Sequence, residues 1–170
     1  DFEIAPTLRR IFLSRFFYSR WCVGQKIRGP VELAVGLLRS LEGTAATTQL
    51  ARALRPLGQR LFFPPNVKGW DGGSTWINAT TLIGRVNLVS KLLRSGNARF
   101  AGGTLDHYFR DVDSPESLVV EMARLLTAVP LSRSAMSKIS TLAAIGRRNK
   151  IEGSENVLRA LAALPEFQIG

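Results

Sequence analysis

Cysteine and histidine are almost absent from this chain of 170 residues. The single cysteine, Cys22, has no partner for an intrachain disulfide, and no Cys/His cluster has the spacing of a zinc site. Because His107 is the only histidine, sites built on two or three imidazoles are excluded. No apolar run approaches the roughly 20 residues that span a bilayer. We therefore expect no cofactor and no transmembrane segment.

Acidic residues are also few: 13 against 23 basic ones, which gives a net charge of +10. Residues 1–60 contain ten basic and four acidic side chains, residues 61–110 contain six and two, and residues 111–170 contain seven of each. The excess positive charge therefore lies in the first two thirds of the chain. We expect a basic face there that contacts an anionic partner.

Hydrophobic residues recur at helical spacing along most of the chain, and no sustained two-residue alternation predicts a sheet. Together with glycine and proline between the apolar stripes, this pattern predicts an all-α fold, an irregular bundle of about six or seven helices. The first predicted helices cover residues 5–18, 30–42 (stopped by Gly43) and 47–54, and a fourth runs from a Ser74 cap to residue 93. Three more are capped by Ser114, Ser132 and Ser154.

The domain organisation is predicted from the same glycine and proline residues between the helices. Residues 1–94 are predicted to form a helical subdomain, and the glycine-rich residues 95–113 a linker. Residues 114–170 are predicted to form a three-helix segment that packs on the first part as one domain. A chain of this length buries enough surface to fold without disulfides.

The most distinctive motif is the Phe-Pro-Pro-Asn-Val-Lys-Gly-Trp-Asp-Gly-Gly sequence at residues 63–73, which cannot form a helix. The indole rings of Trp70 in the motif and of Trp76 just after it could stack on a sugar or base while polar neighbours make hydrogen bonds. The alternative is a rigid loop whose tryptophans fill the core, and the frequent burial of tryptophan favours it. The candidate ligand-binding residues are Asn66, Lys68, Trp70, Asp71 and Trp76.

A second cluster has acid–base or metal-binding potential: Asp106, His107, Asp111 and Asp113. A carboxylate beside a histidine tunes its pKa, and several aspartates can hold a divalent ion. No nucleophile motif or metal-ligand repeat accompanies the cluster. Acidic residues before a helix start are also ordinary partners of the helix dipole.

Residues 15–21, Arg-Phe-Phe-Tyr-Ser-Arg-Trp, alternate aromatic rings with positive charge. Such patterns occur in single-strand nucleic-acid grooves and at membrane interfaces. The favoured interpretation is that the rings prolong a core stripe while arginine stems cover apolar surface. Because no nucleic-acid-binding motif is present, nucleic acid is not the expected partner.

Three blocks carry a family resemblance: residues 26–39, residues 57–78 with the Pro-Pro-Asn-Val-Lys-Gly-Trp string, and residues 157–168. Over nearly its whole length the chain resembles the C-terminal part of a bacterial family, the domain of unknown function eighteen-hundred. The resemblance implies a fragment of a protein more than twice as long, exported to the periplasm, cell surface or medium. It carries over no catalytic residue, and Asp71 stands where the family often has proline.

These observations leave three functional hypotheses. The first is a helical binding or scaffolding module that packs against the N-terminal part of its own chain. Its basic face over residues 1–110 contacts either that part or an anionic polymer or surface glycan. The second is a glycan-acting enzyme or carbohydrate-binding module that uses Trp70 and Trp76. The third is a basic module that binds nucleic acid.

Overall fold

The computed structural model describes residues 3–94, 98–100, 103, 105, 109–145 and 150–170. It confirms the all-α prediction of an irregular helical bundle. The α-helices are α1 (Ile4–Phe12), α2 (Pro30–Ser40), α3 (Thr47–Leu54), α4 (Ala79–Arg94), α5 (Pro115–Leu126), α6 (Arg133–Ile145), α7 (Lys150–Ala162) and α8 (Pro165–Gln168). Short 3₁₀ turns cover Arg55–Leu57 and Gly73–Trp76.

The expectation of no sheet is wrong at one place. Strand β1 (Thr44–Ala45) pairs antiparallel with β2 (Ala98–Arg99), so that Thr44 lies opposite Arg99. Two-residue strands are too short to produce the alternation from which strands are recognised. The pairing joins the end of the α2 region to the segment after α4.

Helix α7 lies at the centre of the bundle and packs against α4, α5 and α6. Its residues Val157, Leu158 and Leu161 are completely buried. One continuous core joins them to α2, α4 and α5, and it includes Phe100 and Phe109 from the segment predicted as a linker. The domain boundaries remain predictions. None of the helices in the described ranges is both long and apolar enough to cross a bilayer.

Helix α2 begins where the sequence predicts, at Pro30 after Gly29. The Glu32 carboxylate accepts a hydrogen bond from the Gly29 N–H at 2.9 Å and pairs with the Lys26 ammonium. This arrangement satisfies a free donor at the helix start and places negative charge near the positive end of the helix dipole. Burial of Leu33 and Leu37 then fixes the helix against the core.

Replacing Glu32 with glutamine should destabilise the protein at neutral pH by less than about 1 kcal/mol, because the carboxylate is half-exposed. The hydrogen bond from Lys26, with that from Gly29, lowers the pKa of Glu32 from its ordinary value of 4.5. A lowered pKa stabilises the fold above that value, and the stabilisation is lost as the pH falls through the folded-state pKa. The difference in unfolding free energy between wild type and Glu32→Gln, measured by urea unfolding, should be largest at pH 7 and should shrink as the pH is lowered below 4.5. A difference that grows as the pH is lowered would contradict this assignment.

Two predicted helix starts are wrong. Helix α4 begins at Ala79, because the Asn78 side chain accepts a hydrogen bond from the Thr81 N–H at 2.9 Å and Thr81 Oγ1 accepts one from the Asn78 N–H. Ser74 lies instead in the preceding 3₁₀ turn. Ser154 does not cap a helix either, since it is buried within α7.

Helix α1 is shorter than predicted and ends at Phe12. Ser14 Oγ donates to the Ile11 carbonyl at 2.7 Å and accepts from the Phe17 N–H at 3.2 Å. A serine side chain that bonds to nearby backbone groups competes with helix continuation. Residues 13–24 form a series of turns instead.

The observed cap of α4 yields a paired prediction. Asn78→Ala should lower the free energy of unfolding by about 1 kcal/mol, the usual cost of removing a side-chain cap. Ser74→Ala should change it by less than about 0.5 kcal/mol, because its side chain caps nothing. Chemical denaturation of the two variants measures both values, and equal losses would show that Ser74 has the capping role.

Candidate binding surface

Two hydrogen-bonded turns shape the chain between α3 and α4. In the first, residues 60–63, the Phe63 N–H donates to the Arg60 carbonyl at 3.1 Å. Phe62 occupies the third position with a φ of +64°, a conformation in which turns usually have glycine. Its ring is 92% exposed. A bulky residue with positive φ and no burial is a structural outlier.

The second turn contains the candidate residues Asn66 and Lys68. Asn66 Oδ1 accepts from the Lys68 N–H at 2.9 Å, and the Gly69 N–H donates to the Asn66 carbonyl at 3.1 Å. Gly69 has a φ of +91°, which glycine adopts without strain. Both candidate side chains are exposed, so the turn fixes the backbone at Lys68 while its side chain extends into solvent.

Positive charge is concentrated around these turns in the sequence, between Glu42 and Asp71. No acidic residue occurs in residues 43–70. Arg52 and Arg55 are exposed and lie three residues apart, on neighbouring parts of one helical surface. The Arg60 guanidinium lies 4.0 Å from the centre of the Phe63 ring. We call the following set the basic loop surface: Arg52, Arg55, Arg60, Phe62, Phe63 and Lys68.

Trp70 in the motif and Trp76 just after it are in different environments. Trp76 is 9% exposed, and a Cβ atom on Gly58 would lie 3.6 Å from its ring. Trp70 is half-buried and Asp71 is exposed. The Trp76 ring therefore contributes to packing, as the structural alternative supposed, and does not present a ring face to solvent. Ligand binding by Asn66, Lys68, Trp70, Asp71 and Trp76 remains a prediction.

The second candidate cluster is only partly within the described residues. Asp106 and His107 lie outside them. Asp111 and Asp113 are exposed, and Asp111 is 3.7 Å from the Arg110 guanidinium. In the described ranges, no three His, Cys, Asp or Glu side chains are close enough to hold a metal ion. The acid–base and metal-binding role of the cluster remains a prediction.

The aromatic residues near the N-terminus are not part of the core, contrary to the favoured interpretation. Since α1 ends at Phe12, the following rings do not continue a helical stripe. Phe16, Tyr18 and Trp21 are each exposed by about two thirds. They form a second candidate surface, separate from the basic loop surface in the chain.

Arg85 on α4 is completely buried, although it is not among the residues predicted from sequence to have a special role. Its guanidinium donates to Gln168 Oε1 at 3.1 Å and to the Arg28 carbonyl at 2.7 Å. Burial lowers the pKa of Arg85 from its ordinary value. One signal was available, since Arg85 lies three residues before Leu88 and four before Val89 and so shares their buried face.

Comparison with known proteins gives a family without a described activity. A search of curated proteins and a search of solved structures each returned no significant match. The family model described as a protein of unknown function, DUF1800, matches residues 1–169. Because that match covers essentially the whole sequence, the chain belongs to the DUF1800 family.

Proposed function

We propose that this chain is a binding module of an exported bacterial protein, and that the basic loop surface binds an anionic polymer such as an acidic surface glycan. Four exposed cations in a stretch without acidic residues provide the attraction. Exposed aromatic rings between them provide apolar area that is ordered before binding. The hydrogen-bonded turns reduce the ordering cost of binding.

The conformation of Phe62 is the observation that carries this proposal. Left-handed backbone costs a residue with a Cβ about 1–2 kcal/mol, and glycine would avoid that cost. The exposed Phe62 ring gains no burial that offsets it. Strain of this kind concentrates at functional sites. A ring held in solvent at an energetic cost is best explained by contact with a partner.

The test compares two double variants that each remove two exposed positive charges. R60Q/K68Q changes the basic loop surface, and R133Q/K138Q changes α6. Binding to polygalacturonate, with neutral dextran as the reference polymer, is measured by isothermal titration calorimetry. We expect R60Q/K68Q to weaken binding about tenfold and R133Q/K138Q to weaken it less than about twofold.

Phe62→Gly separates the contribution of the ring from that of charge. It should weaken polygalacturonate binding about threefold or more while leaving the unfolding free energy within about 1 kcal/mol of the wild type, since strain relief offsets the added chain entropy. Equal losses of polygalacturonate affinity in both charge variants would mean that the polymer responds to net charge and not to a site. That result would overturn the proposal. Tighter binding to single-stranded DNA than to polygalacturonate would favour the nucleic-acid hypothesis instead.

A further inference from the structure

Helix α1 has no buried side chain in its nine residues. Isolated helices of this length are only marginally stable in water, and most helical stability in proteins comes from packing of an apolar face. Ile4, Leu8 and Ile11 follow one another at intervals of four and three residues and so share one face. That face is exposed to solvent along its whole length. The helix therefore has a surface suited to packing but no partner in the described chain.

The turns after α1 extend this apolar surface with ordered aromatic rings. The centre of the Phe17 ring lies 5.1 Å from that of Phe12 and 5.2 Å from that of Tyr18, both in edge-to-face geometry. Tyr18 and Trp21 each combine a large apolar ring with a polar N–H or O–H group, a combination enriched where apolar material meets water. We call residues 4–23 the amphipathic segment.

The amphipathic segment is also strongly and uniformly positive. Residues 4–31 contain no acidic residue. Arg9, Arg10, Arg15 and Arg20 are exposed, and none of them forms an ion pair with an acidic side chain that the structure describes. The Arg20 guanidinium lies 5.0 Å from the centre of the Trp21 ring, which brings a cation to the edge of the apolar surface. A partner must therefore supply both negative charge and an apolar interior.

We propose that the amphipathic segment binds an anionic lipid surface, with α1 lying in the plane of the interface. A basic amphipathic helix with aromatic and aliphatic residues on its other face is the pattern of interfacial membrane binding. A second copy of the chain fits poorly, because four arginines on each copy would repel one another. A hydrophilic anionic polymer would neutralise the arginines but would leave Ile4, Leu8 and Trp21 in water. A lipid surface matches the positive charge and the apolar area of the segment together.

The test uses the 170-residue chain and sedimentation with vesicles of phosphatidylcholine alone or mixed equally with phosphatidylglycerol. The wild-type chain should bind the mixed vesicles at least tenfold more tightly, since each arginine near an anionic surface contributes about fivefold in affinity. R9Q/R10Q/R15Q/R20Q should weaken that binding at least 100-fold. The control R52Q/R55Q/R60Q/K68Q removes the same number of charges from the basic loop surface and should weaken it less than about fivefold.

A second variant, L8S/F16S/W21S, tests the apolar contribution and should weaken binding to mixed vesicles at least tenfold. None of these side chains is buried, so the melting curves of all variants should match the wild type. Tryptophan fluorescence gives a further readout: mixed vesicles should reduce iodide quenching of the wild-type chain and shift its emission to shorter wavelength, and W21F, which keeps Trp70 and Trp76, should remove both effects.

Three results would overturn the membrane proposal: equal binding to both kinds of vesicle, equal losses in the two charge variants, or unchanged binding by L8S/F16S/W21S. The last would show attraction to charge alone, as a soluble polymer gives. Because this test changes the amphipathic segment and the glycan test changes the basic loop surface, either proposal can fail without the other.

Discussion

Replacement of Arg85 by alanine is expected to lower the free energy of unfolding by about 3–5 kcal/mol. The completely buried guanidinium connects three parts of the fold: α4, the backbone before α2 and the side chain of Gln168 in α8. Its removal leaves Gln168 Oε1 and the Arg28 carbonyl without their donor, which costs about 1–3 kcal/mol for each buried acceptor. The space left by the side chain adds a cavity cost.

Urea unfolding followed by circular dichroism measures this loss. Arg52→Ala is the matched control, because it removes an exposed arginine and should change stability by less than about 0.5 kcal/mol. Arg85→Met keeps most of the volume and should recover only the cavity part of the loss. A double-mutant cycle of R85M with Q168L should give a coupling of about 1.5–3 kcal/mol. A loss below about 1 kcal/mol for Arg85→Ala would show that water or a rearranged side chain replaces its hydrogen bonds.

Arg85 also shows where prediction from sequence reaches its limit. Its acceptors on Arg28 and Gln168 are 57 and 83 residues away in the chain. Sequence spacing places Arg85 on the buried face of α4, but a charged residue is normally expected in solvent. Only the tertiary fold supplies the acceptors that make its burial tolerable. The correct local register was therefore not enough to predict its environment.

Helix starts, too, can be predicted where nearby residues decide them and not where tertiary packing decides them. Ser114 was predicted as the cap of α5, and its Oγ accepts from the Ser117 N–H at 3.0 Å. That cap, the proline after it and the apolar stripe all act within one helix. Ser74 and Ser154 have the same side chain but not the same role, because Asn78 provides the cap of α4 and Ser154 lies inside α7. A serine alone does not say which of several possible starts tertiary packing selects.

The sequence indicates which residues form the candidate surfaces, but it does not indicate which of their side chains are exposed. Residues 63–73 are predicted as an irregular loop, yet the sequence does not distinguish Trp76, which is buried after the loop, from the half-buried Trp70 within it. The apolar periodicity of α1 predicted a core helix. In the structure no described element covers that face, although the same periodicity is present. Periodicity shows that a face is suited to burial, and the partner that buries it need not belong to the same domain.

The largest loss of stability is expected when the chain is shortened after Leu164. Helix α8 then disappears, together with Phe167, which is almost completely buried and whose removal alone costs about 3–5 kcal/mol. The Arg28 N–H loses its bond to the Gln168 carbonyl at 2.8 Å, and the Lys26 carbonyl loses the Gly170 N–H at 2.8 Å. The total should exceed about 5 kcal/mol, a large part of the 5–15 kcal/mol that stabilises a typical domain.

Thermal unfolding should therefore show a melting temperature lower by about 10–20 °C, or no cooperative transition. Phe167→Leu, which keeps an apolar side chain at that position, should cost less than about 1.5 kcal/mol and serves as the control. Because shortening also removes Gln168, adding Arg85→Ala to the shortened chain should cost less than Arg85→Ala costs in the full chain. Strict additivity of the two changes would mean that α8 and Arg85 stabilise the fold independently, and that the hydrogen bond between them contributes nothing.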